Sequence, residues 1–197
     1  MIVGLTGPTG SGKSTVCRML QEWQGVEIID CDQLSRRVAS KGNRCLVDLA
    51  VEFSPLIIDS QGELNRRRLA EIVFSDKEKL KTLNRIIFPY IVEEAELDIM
   101  RARERGAKLI FLDAPTLFES GADKLCEKIV VVTADPEIRL RRIIDRDHIS
   151  AELAVRRMSS QHTDEFFADR ADYLIKNNND TVELRLAVLE LLNDLGL

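Results

Sequence analysis

The stretch "GPTGSGKS", Gly7 to Ser14, constrains the fold of this chain more than any other. It follows the apolar run "MIVGLT" directly and fits G-x-x-x-x-G-K-[ST] in full, with Thr15 next. A strand before it and a helical stretch from Lys13 after it are the context in which this pattern forms a phosphate-binding loop. Wrapping main-chain N–H groups around an anion demands side chains that are small or absent. Glycine also opens backbone angles closed to other residues. A helix starting near Lys13 aims its positive end at the same anion. Gly7, Gly10, Ser11, Gly12, Lys13, Ser14 and Thr15 are therefore assigned to a nucleoside triphosphate. Lys13 is placed to bridge the β- and γ-phosphates and Ser14 to offer its hydroxyl to Mg²⁺. The motif leaves open whether the phosphoryl group passes to water, a protein or a metabolite.

Four runs have strand character: Met1–Thr6, Val26–Asp30, Lys108–Asp113 and Lys128–Ala134, with Asp172–Asn177 a weaker fifth. They are rich in Ile, Val, Leu and Phe without polar alternation, as strands covered on both faces should be. Helical patterns separate them at Lys13–Gln24, Gln33–Ala39, Arg67–Phe74, Lys77–Arg105, Pro136–Arg146, Ala151–Gln161 and Val182–Leu195. The alternation predicts an α/β fold, a five-stranded parallel sheet flanked by helices. Almost eighty residues separate the second and third strands, far more than one crossover helix needs. The excess suggests an inserted helical subdomain that builds a second binding site, or else a helical elaboration covering the sheet edge. Within it a kink or break is expected at Pro89.

Two aspartates, Asp30 and Asp32, stand at the end of the second strand, which is taken to lie beside the loop-bearing strand. In an extended segment both would face the same way. Ligands sit at the carboxyl ends of such strands, where a carboxylate can orient an acceptor hydroxyl and take its proton. One of the two could instead cap the helix starting near Gln33; Asp32 is the favoured base. The third strand ends in "LIFLDAP", a Walker-B-like arrangement in which Asp113 holds Mg²⁺ directly or through water. After the fourth strand, Arg139, Arg142 and Arg146 share one helix face. An arginine face on a mobile helix can close over the phosphates; the alternative is a solvated face paired with Glu137, Asp145 and Asp147.

The 197 residues suit one compact domain. Apolar residues make up 45 % and charged residues 31 %, enough for an ordinary core. A net charge of −5 argues against a general nucleic-acid binder. No apolar run long enough to cross a membrane occurs, and "MIVGLTG" lacks signal-peptide character, so a cytoplasmic protein is expected. Cys17, Cys31, Cys45 and Cys126 are scattered, which fits small buried residues in a reducing compartment rather than a zinc site or disulfide frame. His148 and His162 read as ordinary surface groups.

The ordered set "GLTGPTGSGKST", "IIDCD" with "RRV", "GELNRRRL", "VFSD", "LN..I..P", "DAPTLFESG" and "ADYLIKNN" spans essentially the whole chain and resembles the dephospho-coenzyme A kinases. The resemblance implies a P-loop NTPase fold with three parts. A core would take in residues about 1–60, 107–135 and 165–197, a helical coenzyme-A-binding subdomain about 61–106 and a lid about 136–164. It implies transfer of the ATP γ-phosphoryl group to the ribose 3′-hydroxyl of dephospho-coenzyme A, giving coenzyme A and ADP. By the same resemblance Asp32 is the general base and Arg142 lies on the lid helix. Arg66, Leu117, Phe118 and Glu119 lie near the acceptor, and Ile175–Asn179, with Asn177 and Asn178, approaches the ATP adenine. The small-molecule substrate leaves no role for nucleic acid or membrane, and a monomer or a trimer would look alike.

Four positions depart from that family's pattern. Phe88-Pro89 stands for His-Pro, Val92 for an arginine, Arg139 for a glutamine and Thr116 for a leucine. The rivals are a kinase for another nucleotide or small alcohol, and a P-loop switch that hydrolyses nucleotide. Against the switch, no N-K-x-D-type guanine-reading segment is found.

Overall fold

The computed structural model of the chain describes residues 1–73 and 76–197. Phe74, the predicted end of one helix, and the Phe74-Ser75 pair of "VFSD" lie outside the described residues. Five strands form one sheet: β1 (Ile2–Thr6), β2 (Val26–Asp30), β3 (Leu109–Asp113), β4 (Lys128–Thr133) and β5 (Tyr173–Lys176). Their order is β2-β3-β1-β4-β5 and every pairing is parallel. β3 therefore separates β2 from the loop-bearing strand β1, correcting the expectation that β2 lies next to it. Strand order depends on which crossover packs where, and no local residue pattern encodes that.

Register places the carboxyl ends level. Leu5 stands opposite Asp113, and Asp113 opposite Asp30. Alternate residues of the same strand feed two cores. Ile2, Ile29, Ile110 and Leu112 face one side, while Val3, Leu5, Phe111, Val130 and Val132 face the other. This is the period-two geometry of a strand covered on both faces.

The second core is closed by α1 (Lys13–Leu20) and α10 (Thr181–Asp194), through Val16, Leu20, Leu184 and Val188. The first is closed by α2 (Cys31–Val38), α3 (Arg44–Glu52), α4 (Arg66–Val73) and α5 (Lys77–Glu104). The sequence reading assigned no element to α3, although Cys45, Leu46, Leu49 and Ala50 supply a buried helical stripe there. Ile91, Ala95, Ile99 and Ala102 put α5 into the same core as Ile110 and Leu112, so the long insertion shares the sheet's core.

Pro89 does not break α5, which continues as one helix through it. The missing N–H and the ring clash cost roughly 3 kcal/mol. That loss is offset because Phe88, Tyr90, Ile91 and Val92 on either side all pack against the first core.

The remaining helices are α6 (Leu117–Ser120), α7 (Pro136–Asp147), α8 (Ala151–Ser159) and α9 (Asp164–Ala168). His148 ends α7 in the left-handed conformation, and Ser150 caps α8 through the Leu153 amide. Burial holds the thiols neutral, Cys45 at about 11 and Cys31 and Cys126 at about 12, with Cys17 higher still. Among the described residues no helix is long and apolar enough to cross a membrane.

Candidate active site

The segment from Gly7 to Gly12 carries the chain from β1 into α1. Gly12 is the residue just before the helix, at φ 92°, and α1 has no side-chain cap. The first amides of a helix have no partner within it; those of Lys13 and Ser14 are thus open to an anion. Gly12 is also sterically required. A Cβ there would run into the Asn177 side-chain amide, which donates to the Ser11 carbonyl at 2.8 Å. Gly12→Ala is therefore expected to destabilise the fold by about 1–3 kcal/mol through backbone strain alone, with ATP binding lost as well. Urea denaturation beside nucleotide titration checks both.

Lys13 and Asp113 meet across the sheet's end as an ion pair, Nζ to Oδ1. The Cys17 thiol donates to the other carboxylate oxygen at 3.2 Å. Burial first, and then the Asp113 charge, push the Cys17 thiol far up, so it remains a donor. Ser14 is exposed, and it lines both the main cleft and the adjoining cavity that contains Asp113. Among the described residues no cluster of three His, Cys, Asp or Glu side chains could hold a metal. One hydroxyl and one carboxylate fit Mg²⁺, which commonly takes its other ligands from nucleotide phosphates and water.

Asp30 and Asp32 divide the two roles that the sequence left open. Asp30 caps α2, accepting from the Asp32 amide at 2.8 Å and the Gln33 amide at 3.1 Å. Asp32 sits in the first turn of that helix, not in extended chain, and its side chain lines the cleft with Lys13, Ser14 and Arg142. Partial desolvation, then the nearby Asp30 charge, raise the Asp32 carboxyl above its ordinary value, while Lys13 opposes them. A carboxylate so placed is a better proton acceptor than one in water.

The three arginines that share one face of α7 part company. Arg142 donates to the carbonyls of Gly10 at 3.4 Å and Ser11 at 3.3 Å, placing its guanidinium on the loop. Arg146 pairs with Asp147 yet still lines the cleft, as does Asp145. Arg139 is buried and pairs with Asp164. Gln161 was not foreseen. Its side-chain oxygen accepts from the Thr9 amide at 2.8 Å across 152 residues of sequence, a contact no local pattern signals. Arg142, Arg146 and Gln161, with the loop and Asp32, bound a cleft of about 640 Å³.

The other residues expected at the site make the following contacts. Asn177 is buried with its amide on the Ser11 carbonyl of the loop, and the Asn178 oxygen accepts from the Asp135 amide at the start of α7. Thr15 accepts from Arg18 through its hydroxyl. Leu117 is fully buried, with its side chain packed over Gly4. Arg66 reaches the Arg36 carbonyl at 3.4 Å. Glu119 lines a separate groove of about 540 Å³ with Phe88, Pro89 and Val92, so two of the departing positions lie together there. His162 stacks on Phe166 at 3.7 Å, with its Nε2 3.3 Å from Glu119, while Phe118 meets Phe166 edge-on at 5.4 Å.

The family model described as "Dephospho-CoA kinase" matches residues 1–183. The chain belongs to the dephospho-CoA kinase family. The dephospho-CoA kinase of Fusobacterium nucleatum subsp. nucleatum is 41 % identical over 185 residues, 93 % of each chain. A solved dephospho-CoA kinase from Campylobacter jejuni superposes with a TM-score of 0.72 at 29 % identity, over 98 % of this chain and 96 % of that one. A shikimate kinase from Acinetobacter baumannii, solved in complex with shikimate, reaches a TM-score of 0.55 at 19 % identity, over 100 % and 94 % of the two chains; at that identity it speaks for the fold alone. Membership of the dephospho-CoA kinase family makes the protein an ATP-dependent kinase of the P-loop fold.

Proposed function

We propose that this dephospho-CoA kinase moves the γ-phosphoryl group of ATP to the ribose 3′-hydroxyl of dephospho-coenzyme A in the cleft between the Gly7–Ser14 loop and Asp32. The observation carrying this reading is that Lys13, Ser14, Asp32 and Arg142 line one cavity. The first-turn amides and Lys13 bind the triphosphate, which requires Lys13 to exchange Asp113 for phosphate oxygens. Asp32 orients the acceptor hydroxyl and accepts its proton as the oxygen attacks phosphorus; ADP leaves with the electrons of the broken P–O bond. Arg142 lies where negative charge spreads over the transferring group, so its stabilisation is largest in the transition state. Ser14 and Asp113 would hold Mg²⁺, which would supply positive charge against the triphosphate.

We assign the rest of the acceptor to the side of the cleft bearing α4, α5 and α6. Arg66 is available there as a cation, and Phe118 and Glu119 border the way in. The segment about 136–164 acts as a lid that excludes water and favours transfer over hydrolysis. A cytoplasmic location fits a substrate made and used in solution.

A coupled ADP-release assay over dephospho-coenzyme A, AMP, shikimate and pantothenate tests the reading. Release stimulated by dephospho-coenzyme A by at least about 10²-fold over the other three is expected, the scale on which positioned acceptors are preferred. Equal stimulation by all four, or release indifferent to any of them, contradicts it.

A further inference from the structure

We infer that Arg139, through its ion pair with Asp164, is a positioning residue that holds Arg142 and Gln161 on the phosphate-binding loop. Arg139 is only 6 % exposed, and one guanidinium nitrogen lies 3.0 Å from each oxygen of Asp164. Its Nε has no hydrogen-bond partner among the described residues. A buried cation with an unsatisfied nitrogen contributes little stability compared with an apolar side chain in its place. What the pair does is geometric.

Two arms touch the loop from outside it. Arg142 comes from α7 and donates to Gly10 and Ser11. Gln161 comes from the segment just before α9 and accepts from Thr9. Arg139 sits one turn before Arg142 on α7, and Asp164 three residues beyond Gln161, where it opens α9. The Arg139–Asp164 pair thus ties together the two segments that carry the two arms. The main chain of Arg139 also rests on the loop itself: a Cβ on Gly10 would come within 2.7 Å of the Arg139 carbonyl oxygen and 3.0 Å of its Cα. α7 is thus seated against Gly10 at Arg139, and the ion pair fixes the rotation of α7 that delivers Arg142. Arg139 does not line the cleft, so it acts through Arg142 and Gln161 and not on substrate.

This inference rests on the proposed reading only in taking the loop as the ATP site, so its test reads ATP binding without any acceptor. The dissociation constant for ATP, kcat and Tm are measured for Arg139→Ala, Arg139→Lys, Arg142→Ala and the Arg139→Ala/Arg142→Ala double variant. Misplacing a positioned group costs about 10- to 100-fold, so the affinity for ATP measured without acceptor should fall by that factor in Arg139→Ala and recover in part in Arg139→Lys. In the Arg142→Ala background the same change should cost less than about twofold, because coupled groups are not additive. Arg139→Ala that lowers Tm but leaves ATP affinity and kcat unchanged overturns the inference, as does a loss that multiplies undiminished in the double variant. Should Arg139→Ala fail to fold, Arg139→Met carries the same comparison, since it keeps the length of the side chain, leaves no unpaired buried cation, and Asp164 is 42 % exposed and can be solvated. Failure of the acceptor assay with these couplings intact would strike the choice of substrate and leave the positioning role standing.

Discussion

Lys13→Ala is expected to lower kcat/KM for ATP by at least about 10²- to 10³-fold, the scale of removing one preorganised donor from a developing charge. Two effects combine. The substitution removes the cation proposed to bridge the β- and γ-phosphates. It also strands Asp113, whose carboxylate then keeps the Cys17 thiol but loses its cation. An uncompensated carboxylate beside the triphosphate repels it. Titration of ATP into the variant should show weakened binding, and a coupled assay turnover close to background. Binding and turnover within about twofold of the parent, against the loss expected for such a donor, would remove Lys13 from the phosphate site.

Asp32→Asn separates chemistry from binding. Loss of a positioned base costs about 10²- to 10⁴-fold in kcat, while ATP affinity should hold, since the substitution leaves the loop untouched. A pH profile adds a second readout. The working form of Asp32 is the carboxylate, and its pKa in the folded protein is raised by desolvation and by Asp30. Activity should therefore rise with pH through a limb lying above the ordinary aspartate value, and that limb should vanish in the variant. The linkage runs the other way for stability. A group whose folded pKa is raised binds protons more tightly in the folded state, so its contribution is greatest below the unfolded pKa and is lost as pH rises through the folded pKa. At neutral pH the ionised Asp32 is a cost to the fold. Asp32→Asn should leave Tm unchanged or slightly higher while activity collapses. An unchanged kcat, or a Tm fall that accounts for the loss, would remove Asp32 as base.

The parts of the site legible in the sequence are those that local chemistry dictates. Residues 7–15 are contiguous, and each small side chain there answers a steric demand, so the loop could be read directly. Asp113 was legible for a similar reason, as a polar residue ending an apolar run. Asp32 was favoured over Asp30 as the base, but the cap remained open between them, because it turns on whether the chain stays extended or enters α2 at Cys31; it enters the helix, and Asp30 becomes the cap. Gln161, Asn177 and the Arg139–Asp164 pair act across 152, 166 and 25 residues. Each depends on which elements the fold brings together. The expectation that β2 lies beside β1 failed on the same ground.

The central claim is phosphoryl transfer to one sugar hydroxyl under the control of the loop and Asp32, and ³¹P NMR of the reaction mixture tests it most directly. With ATP, Mg²⁺ and dephospho-coenzyme A, the γ-phosphate signal should be replaced by a phosphomonoester signal coupled to the ribose 3′ proton, with inorganic phosphate a minor product. Inorganic phosphate as the main product, or a monoester on any other oxygen, would contradict the account.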